Sequence, residues 1–307
     1  MFTNTKTVKW IVILLILSVF TILIIVAYGW VYLNNDHKTP IGFDGGRALD
    51  DIEYQLSLGP RTIGSESHSR VISWIRAELK KADWKAEVQE LSIGGHDVKN
   101  IVAKRRGKVN SDLPWIIVGA HYDSRLIADK DIDNEKSQKP VPGADDGGSG
   151  VAVLLELARA LPKSLDKNVW LVFFDAEDNG DIPGWDWILG SRAFAESLDD
   201  KPDGVIIVDM VGDADLNLYF ERSSNVDFSN EIWSTAAKLG YSQFIPAAKY
   251  LILDDHTPFL QMGVPAIDII DFDFPYHHTS EDTLDKVSAQ SLEAVGETLY
   301  AWIVNGE

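Results

Sequence analysis

Four short runs dominated by apolar residues constrain this chain more than any other feature: Pro114 to Ala120, Asn168 to Phe174, Val205 to Met210 and Pro265 to Ile270. Each is the length of one strand. Each is apolar at consecutive rather than alternate positions, as strands covered on both faces are. Helical patterns lie between them. Val71, Ile75, Leu79 and Ala82 recur at helical spacing, with Arg76, Lys80 and Lys81 opposite. Gly150 to Leu161 is apolar nearly all round, which predicts a helix buried against a sheet. Leu292, Val295, Leu299 and Trp302 predict a closing amphipathic helix, while Val88, Leu91 and Asn100 to Lys104 read as further strand. Strands alternating with helices predict an α/β fold, a three-layer sandwich around a central mixed, mainly parallel sheet. Residues 124–143 read as a long polar loop, and no internal repeat or Gly/Pro/Ser-rich break divides residues 47–307.

The first part of the chain has another character. Trp10 to Leu33 is 24 residues without a charge. As a helix it would extend about 36 Å, enough to cross a hydrocarbon core of about 30 Å. Trp10 at one end and Trp30 and Tyr32 at the other sit where aromatic belts form, and Lys6 and Lys9 precede the span. A cleaved signal peptide would have a shorter apolar region and a small-residue cleavage site. The expectation is one N-terminal transmembrane helix: residues 1–9 a cytoplasmic tail, 10–33 the anchor, 34–46 a linker, and 47–307 a single extracytoplasmic domain.

Composition narrows the chemistry. With no cysteine, the chain has no disulfide framework, thiolate metal site, iron–sulfur cluster or cysteine nucleophile. The formal charge is −19, and residues 1–38 contribute +2, leaving −21 on the rest. Such a body repels phosphate backbones, so a nucleic-acid partner is not expected.

In open α/β sheets ligands bind beyond the carboxyl ends of the strands, and there the polar residues gather. His121-Tyr122-Asp123-Ser124 follows one strand, Gly143-Ala144-Asp145-Asp146 leads into the buried helix, and Asp175-Ala176-Glu177-Asp178 follows another strand. Asp209-Met210 ends a third, and Tyr276-His277-His278 follows the last. Singly, each has a plain structural explanation: Asp146 could cap a helix, and His121 with Asp123 could be a local hydrogen bond. Together, five segments of oxygen and nitrogen donors point to a divalent cation such as zinc. Acids crowded at a sheet edge raise one another's pKa unless a cation lies between them. Gly147-Gly148-Ser149-Gly150 lacks a P-loop Lys and a Gly-x-Ser-x-Gly core, and reads as small residues admitting the helix close to a metal. Lys104-Arg105-Arg106 with Lys108 reads as a solvated turn, and His37, His68 and His96 as surface residues.

This ordered set resembles the zinc exopeptidases of metallopeptidase family twenty-eight, which holds bacterial zinc aminopeptidases and animal-type glutaminyl-peptide cyclotransferases. Phe173-Phe174-Asp175-Ala176-Glu177-Asp178, Gly190-Ser191-Arg192, Val208-Asp209-Met210-Val211-Gly212, Asp254-Asp255-His256-Thr257-Pro258-Phe259 and His278-Thr279 carry the likeness with the segments above, over residues 47–305. The resemblance implies that Asp146, Asp178 and His278 hold zinc. It implies that His121 and Asp209 complete a second zinc site bridged by Asp146, so that one or two ions bind. Glu177 matches the general base, and Asp254 an acid that joins Glu177 and Asp209 in a proton network. Asp123 would orient His121. Asp178 departs from the family, where Glu is usual; the shorter side chain still supplies an oxygen. Substrates would be peptide or protein N-termini. Trp185, Trp187 and Phe274 are candidates for contact with substrate, and this aromatic material leans the reading toward the cyclase branch, with hydrolysis by an aminopeptidase as the alternative. A non-catalytic ectodomain is the remote third reading.

Overall fold

The structure, a computed structural model, describes residues 42–105 and 112–306. The chain divides between Pro40 and Ile41, and the described residues all belong to the second unit. The expected span Trp10 to Leu33 therefore lies outside the described residues, among which no helix is long and apolar enough to cross a membrane.

Helix α1 (Gly45–Ser57) begins the fold, capped by Asp44, whose side chain accepts the Arg47 N–H. This corrects the expected linker boundary at residue 46. Gly45 and Gly46 read as linker by composition, yet Phe43 is buried and its ring lies where a side chain at Gly296 would sit. Helix α2 (Glu66–Lys81) follows, with Ser65 as N-cap and Lys80 and Lys81 in its last turn, both favourable against the helix dipole. Strands β1 (Trp84–Ile93) and β2 (His96–Arg105) form a hairpin. Then come β3 (Trp115–His121), α3 (Gly148–Ala160), β4 (Asn168–Phe174), α4 (Leu189–Glu196) and β5 (Gly204–Asp209). The chain continues through β6 (Leu218–Phe220), α5 (Val226–Leu239), β7 (Phe244–Ala248), α6 (Thr257–Gln261), β8 (Ala266–Ile270) and α7 (Ala289–Asn305).

The main sheet has the order β1-β2-β4-β3-β5-β8. Strands β4, β3, β5 and β8 are parallel, and β2 pairs antiparallel with β4. Alternate residues of each central strand go to opposite faces, and both faces are covered. Ile116, Val118, Leu171, Phe173, Ile206, Val208, Ile267 and Ile269 join the core beneath α1, α2, α3, α5 and α7. Ile117, Val172, Phe174, Val205, Ile207 and Ala266 join the core beneath α4 and α6. Burial on both faces explains why these strands are apolar throughout, and it makes the expected three-layer α/β sandwich. A small separate sheet pairs β6 with β7.

Candidate metal centre and cleft

Parallel strands bring their carboxyl ends to one edge, and the donor residues arrive there from separate elements. His121 is the last residue of β3 and Asp209 the last of β5. Glu177 and Asp178 lie in the turn after β4, Asp146 just before α3, and His278 in the loop after β8. The backbone at this edge is tightly constrained. Ala176, Met210 and His278, none of them glycine, all adopt left-handed φ values, of 58°, 43° and 59°; such conformations cluster at functional sites. Small residues admit α3. A Cβ on Gly147 would lie 2.5 Å from the His121 carbonyl oxygen, and one on Gly150 would lie 2.3 Å from that of Val208. The peptide bond between Asp146 and Gly147 is cis.

Two donor groups share Asp146. His121 Nε2 lies 3.1 Å from Asp146 Oδ1 and 3.0 Å from Asp209 Oδ1. His278 Nε2 lies 2.7 Å from Asp178 Oδ1 and 3.6 Å from Asp146 Oδ2. Two ligand atoms each about 2.0–2.1 Å from a tetrahedral zinc lie about 3.3 Å apart, so these spacings suit a shared ion. Asp146 Oδ2 and Asp178 Oδ2 are buried and find no hydrogen-bond donor among the described residues. The converging groups are Asp146-His277-His278 and His121-Asp146-Asp209, with Asp178 reaching the first through His278; imidazole and carboxylate donors of this kind suit zinc, with open oxygens where an ion would need them. His277 Nε2, 3.9 Å from Asp146 Oδ2, is a further donor within reach.

Electrostatics tell the same story. Burial, together with Asp254, Asp178 and Asp255, pushes the Glu177 carboxyl well above its usual range. Burial and Asp146 do the same to Asp178, and burial with Asp254 and Asp146 raises Asp209 to about 7. Burial and the neighbouring Arg125 and Lys130 lower His278 to about 3, against the pull of Asp146. Against its own burial, the carboxylates of Asp209, Asp123 and Asp146 hold the His121 imidazole well above its ordinary value. A bound cation would relieve the crowded carboxylates at once.

Asp123 lies 3.5 Å from His121 Nδ1. Its oxygens also accept from the Glu177 and Asp178 N–H groups at 3.2 and 3.4 Å and from Asn179 at 3.3 Å. It therefore clamps the turn that carries Glu177 and Asp178 while facing the imidazole. Asp282 accepts the N–H groups of Asp145 and Asp146 at 2.8 and 3.2 Å and holds that loop.

The centre opens into a cleft of about 350 Å³. Glu177, Asp209, Asp254, Trp187, Met210, Ile252, Ile270 and Phe272 are among its walls. Trp187 stacks on His278 at 5.9 Å and 13°, and the Arg125 guanidinium lies over the same indole at 5.0 Å. The other two aromatic candidates are placed elsewhere. Trp185 stacks on His96 at 3.5 Å in a separate cluster, and Phe274 is buried behind the wall with Met210 and Ile270. One further expectation is corrected. His68 is buried, with Nε2 2.9 Å from Asp175 Oδ1, because β4 delivers Asp175 beneath α2. Lys104 and Arg105 lie at the end of β2, over the rings of Trp170 and Trp84, while Arg106 and Lys108 lie outside the described residues.

Arg125, His277, Leu251, Ile252, Leu253 and Phe272 line the cleft without having been singled out from sequence. Arg125 follows His121-Tyr122-Asp123-Ser124 directly, and His277 precedes His278, so adjacency was the available signal. The buried group Asp254, His256 and Asp268 also converges; its His lay in the Asp254-Asp255-His256 segment.

Similarity to known proteins agrees with this geometry. Residues 100–303 match the model described as Peptidase family M28. Aminopeptidase YwaD of Bacillus subtilis is 28% identical over 225 residues, 66% of this chain and 43% of that protein. A Zn-dependent exopeptidase from Parabacteroides distasonis superposes with a TM-score of 0.81 at 31% identity, covering 86% of this chain and 98% of the other. Tannerella forsythia glutaminyl cyclase superposes at 0.79 with 34% identity, covering 86% and 99%. With a family match over most of its length and a converging set of zinc-type donors at the sheet edge, this chain belongs to peptidase family M28.

Proposed function

We propose that the chain is a glutaminyl-peptide cyclotransferase, converting an N-terminal glutamine to pyroglutamate with release of ammonia. The observation that carries this reading is the cleft: a small space in which Trp187, Met210, Ile252, Ile270 and Phe272 form an apolar wall beside Glu177 and the donor cluster. An apolar wall of that kind can hold one small side chain folded against its own amine. Asp146, Asp178 and His278 would hold zinc. Zinc, when bound, supplies Lewis-acid polarisation of the γ-amide carbonyl. The substrate's α-amine attacks the carboxamide carbon Cδ, forming the ring C–N bond as the bond from Cδ to the amide nitrogen breaks. The nucleophile is tethered, so its effective concentration is high. Glu177 accepts the proton lost by the amine and returns it to the departing ammonia. Asp254 and Asp209 face the same space and take part in holding that proton.

The second reading is an aminopeptidase, and the His121–Asp146–Asp209 group favours it because it offers a second ion site. Glu177 would then take its proton from water and give it to the leaving amine. Two peptides separate the readings. Loss of ammonia from a peptide beginning with Gln, with no free leucine from one beginning with Leu, supports cyclisation; released leucine supports hydrolysis and overturns the first reading. Elemental analysis of one ion against two is the companion measurement.

We also propose that residues 10–33 anchor the protein, with the N-terminus cytoplasmic and the catalytic unit outside. The charge-free length and the preceding lysines support this. Recovery of the full chain in the soluble fraction without detergent would refute it.

A further inference from the structure

Six large, mainly apolar side chains are exposed among the described residues, and three of them, Leu251, Leu253 and Phe272, line this one cleft. Leu251 is 73% and Leu253 50% exposed, whereas Ile252 between them packs with Met210, Ile270 and Phe274. The segment after β7 therefore alternates outward, inward, outward as it passes the cleft mouth. It is firmly held. The Ile252 N–H donates to Glu221 Oε1 at 3.1 Å. Lys249 Nζ lies 2.6 Å from Asp273 Oδ2, Tyr250 bonds the same carboxylate, and the Tyr250 ring meets Phe272 edge-on at 5.3 Å. Scattered exposed apolar residues are ordinary, but a braced cluster at the mouth of a site is the mark of a contact surface.

The occupant follows from size and chemistry. A cleft of about 350 Å³ is at the small end for binding sites and holds little more than one amino-acid residue. The next residue of a bound peptide must then lie over the rim. Seven carboxylates line the cleft, Asp181 among them, against two cations, Arg125 and Lys130, so an acidic group is poorly received. We infer that Leu251 and Leu253, backed by Phe272, form a subsite for a large apolar side chain at the second position of the substrate peptide. This inference rests on the reading that peptide N-termini enter the cleft, and deepens it by naming which sequences enter best.

The test measures binding and turnover separately. The full-length, zinc-loaded Glu177→Gln variant is titrated calorimetrically with Gln-Phe-Ala-amide, Gln-Gly-Ala-amide and Gln-Asp-Ala-amide. The expected result is about tenfold tighter binding of the Phe peptide than the Gly peptide, with the Asp peptide weakest. Adding Leu251→Ser and Leu253→Ser should collapse the Phe preference to within about twofold, while Val226→Ser, exposed at the start of α5 and outside the cleft lining, should leave it intact. Equal binding of the Phe and Gly peptides, a preference that survives the double substitution, or no binding of any of them overturns the subsite. Turnover of the same peptides by the Glu177-containing protein decides the reaction independently. Peptides bound with the Phe preference but never converted would sink the cyclase reading and leave the subsite standing.

Discussion

Glu221 links the cleft rim to the interior, and its replacement by Gln gives a quantitative test of that role. It follows β6, and its side chain is fully buried. Its oxygens accept the Ser223 and Ser224 N–H groups at 2.9 and 2.7 Å, both serine hydroxyls, and the Ile252 N–H at 3.1 Å, with His256 Nε2 at 3.2 Å. Against burial, these donors, His256 foremost, lower the Glu221 carboxyl from 4.5 to about 2. A displacement of that size corresponds to about 3 kcal/mol of preference for the ionised group in the folded state. Because the folded value is depressed, the stabilisation is complete above about pH 4.5 and is lost as the pH falls toward 2. It should be about 3 kcal/mol at pH 7, about 2.5 at pH 4 and about 1.5 at pH 3. Urea unfolding followed by tryptophan fluorescence, for the parent and Glu221→Gln proteins at these pH values, measures the difference directly. The reasoning fails if the gap at pH 7 is below about 1 kcal/mol, or if it stays constant down to pH 3. Loosening the Ile252 anchor should also raise KM for peptide substrates more than it lowers kcat.

Other expected outcomes concern the centre itself. Chelation should abolish activity and added zinc restore it; activity that survives complete removal of divalent metal, checked by elemental analysis, would contradict the donor assignment. Glu177→Gln should lower kcat by about 10²–10⁴-fold with metal content unchanged, and a normal rate would remove Glu177 from the proton transfer. His278→Ala should cost metal occupancy in equilibrium dialysis before it costs the fold, because the His lies in a loop rather than in the core. Gly150→Ala should destabilise by about 1–3 kcal/mol through contact of the new Cβ with the Val208 carbonyl 2.3 Å away; an unchanged unfolding midpoint would show that α3 can withdraw without cost.

Some of the architecture was legible because burial leaves a direct imprint on the residues. The central strands read as unbroken apolar runs since helices cover both faces, and α3 reads as apolar all round since it lies between the sheet and α1 and α7. Elements of weaker imprint were not seen. Short β6 and β7 have few residues to carry a period, and α5 is marked mainly by the Asn225 cap and the Gly240 stop. Among the aromatic residues, Trp185 and Trp187 are neighbours of the same type in one loop, yet only Trp187 reaches His278. Their separation depends on how the loop after Glu177 folds back, with the Ile188 N–H bonded to the Glu177 carbonyl at 3.0 Å.

What the sequence alone determined was the chemistry available and the edge at which it gathers: imidazoles and carboxylates at the ends of buried parallel strands, with no thiol to compete. Alternating strands and helices force those ends to one side, whatever the loops do. Only the tertiary structure decided which donors share Asp146, that His68 is interior, and that Leu251 and Leu253 stand exposed at the mouth. Those outcomes turn on contacts between segments up to about a hundred residues apart, such as Glu221 with Ile252 or His68 with Asp175. A local pattern states whether a residue belongs inside; long-range packing alone states what it meets there.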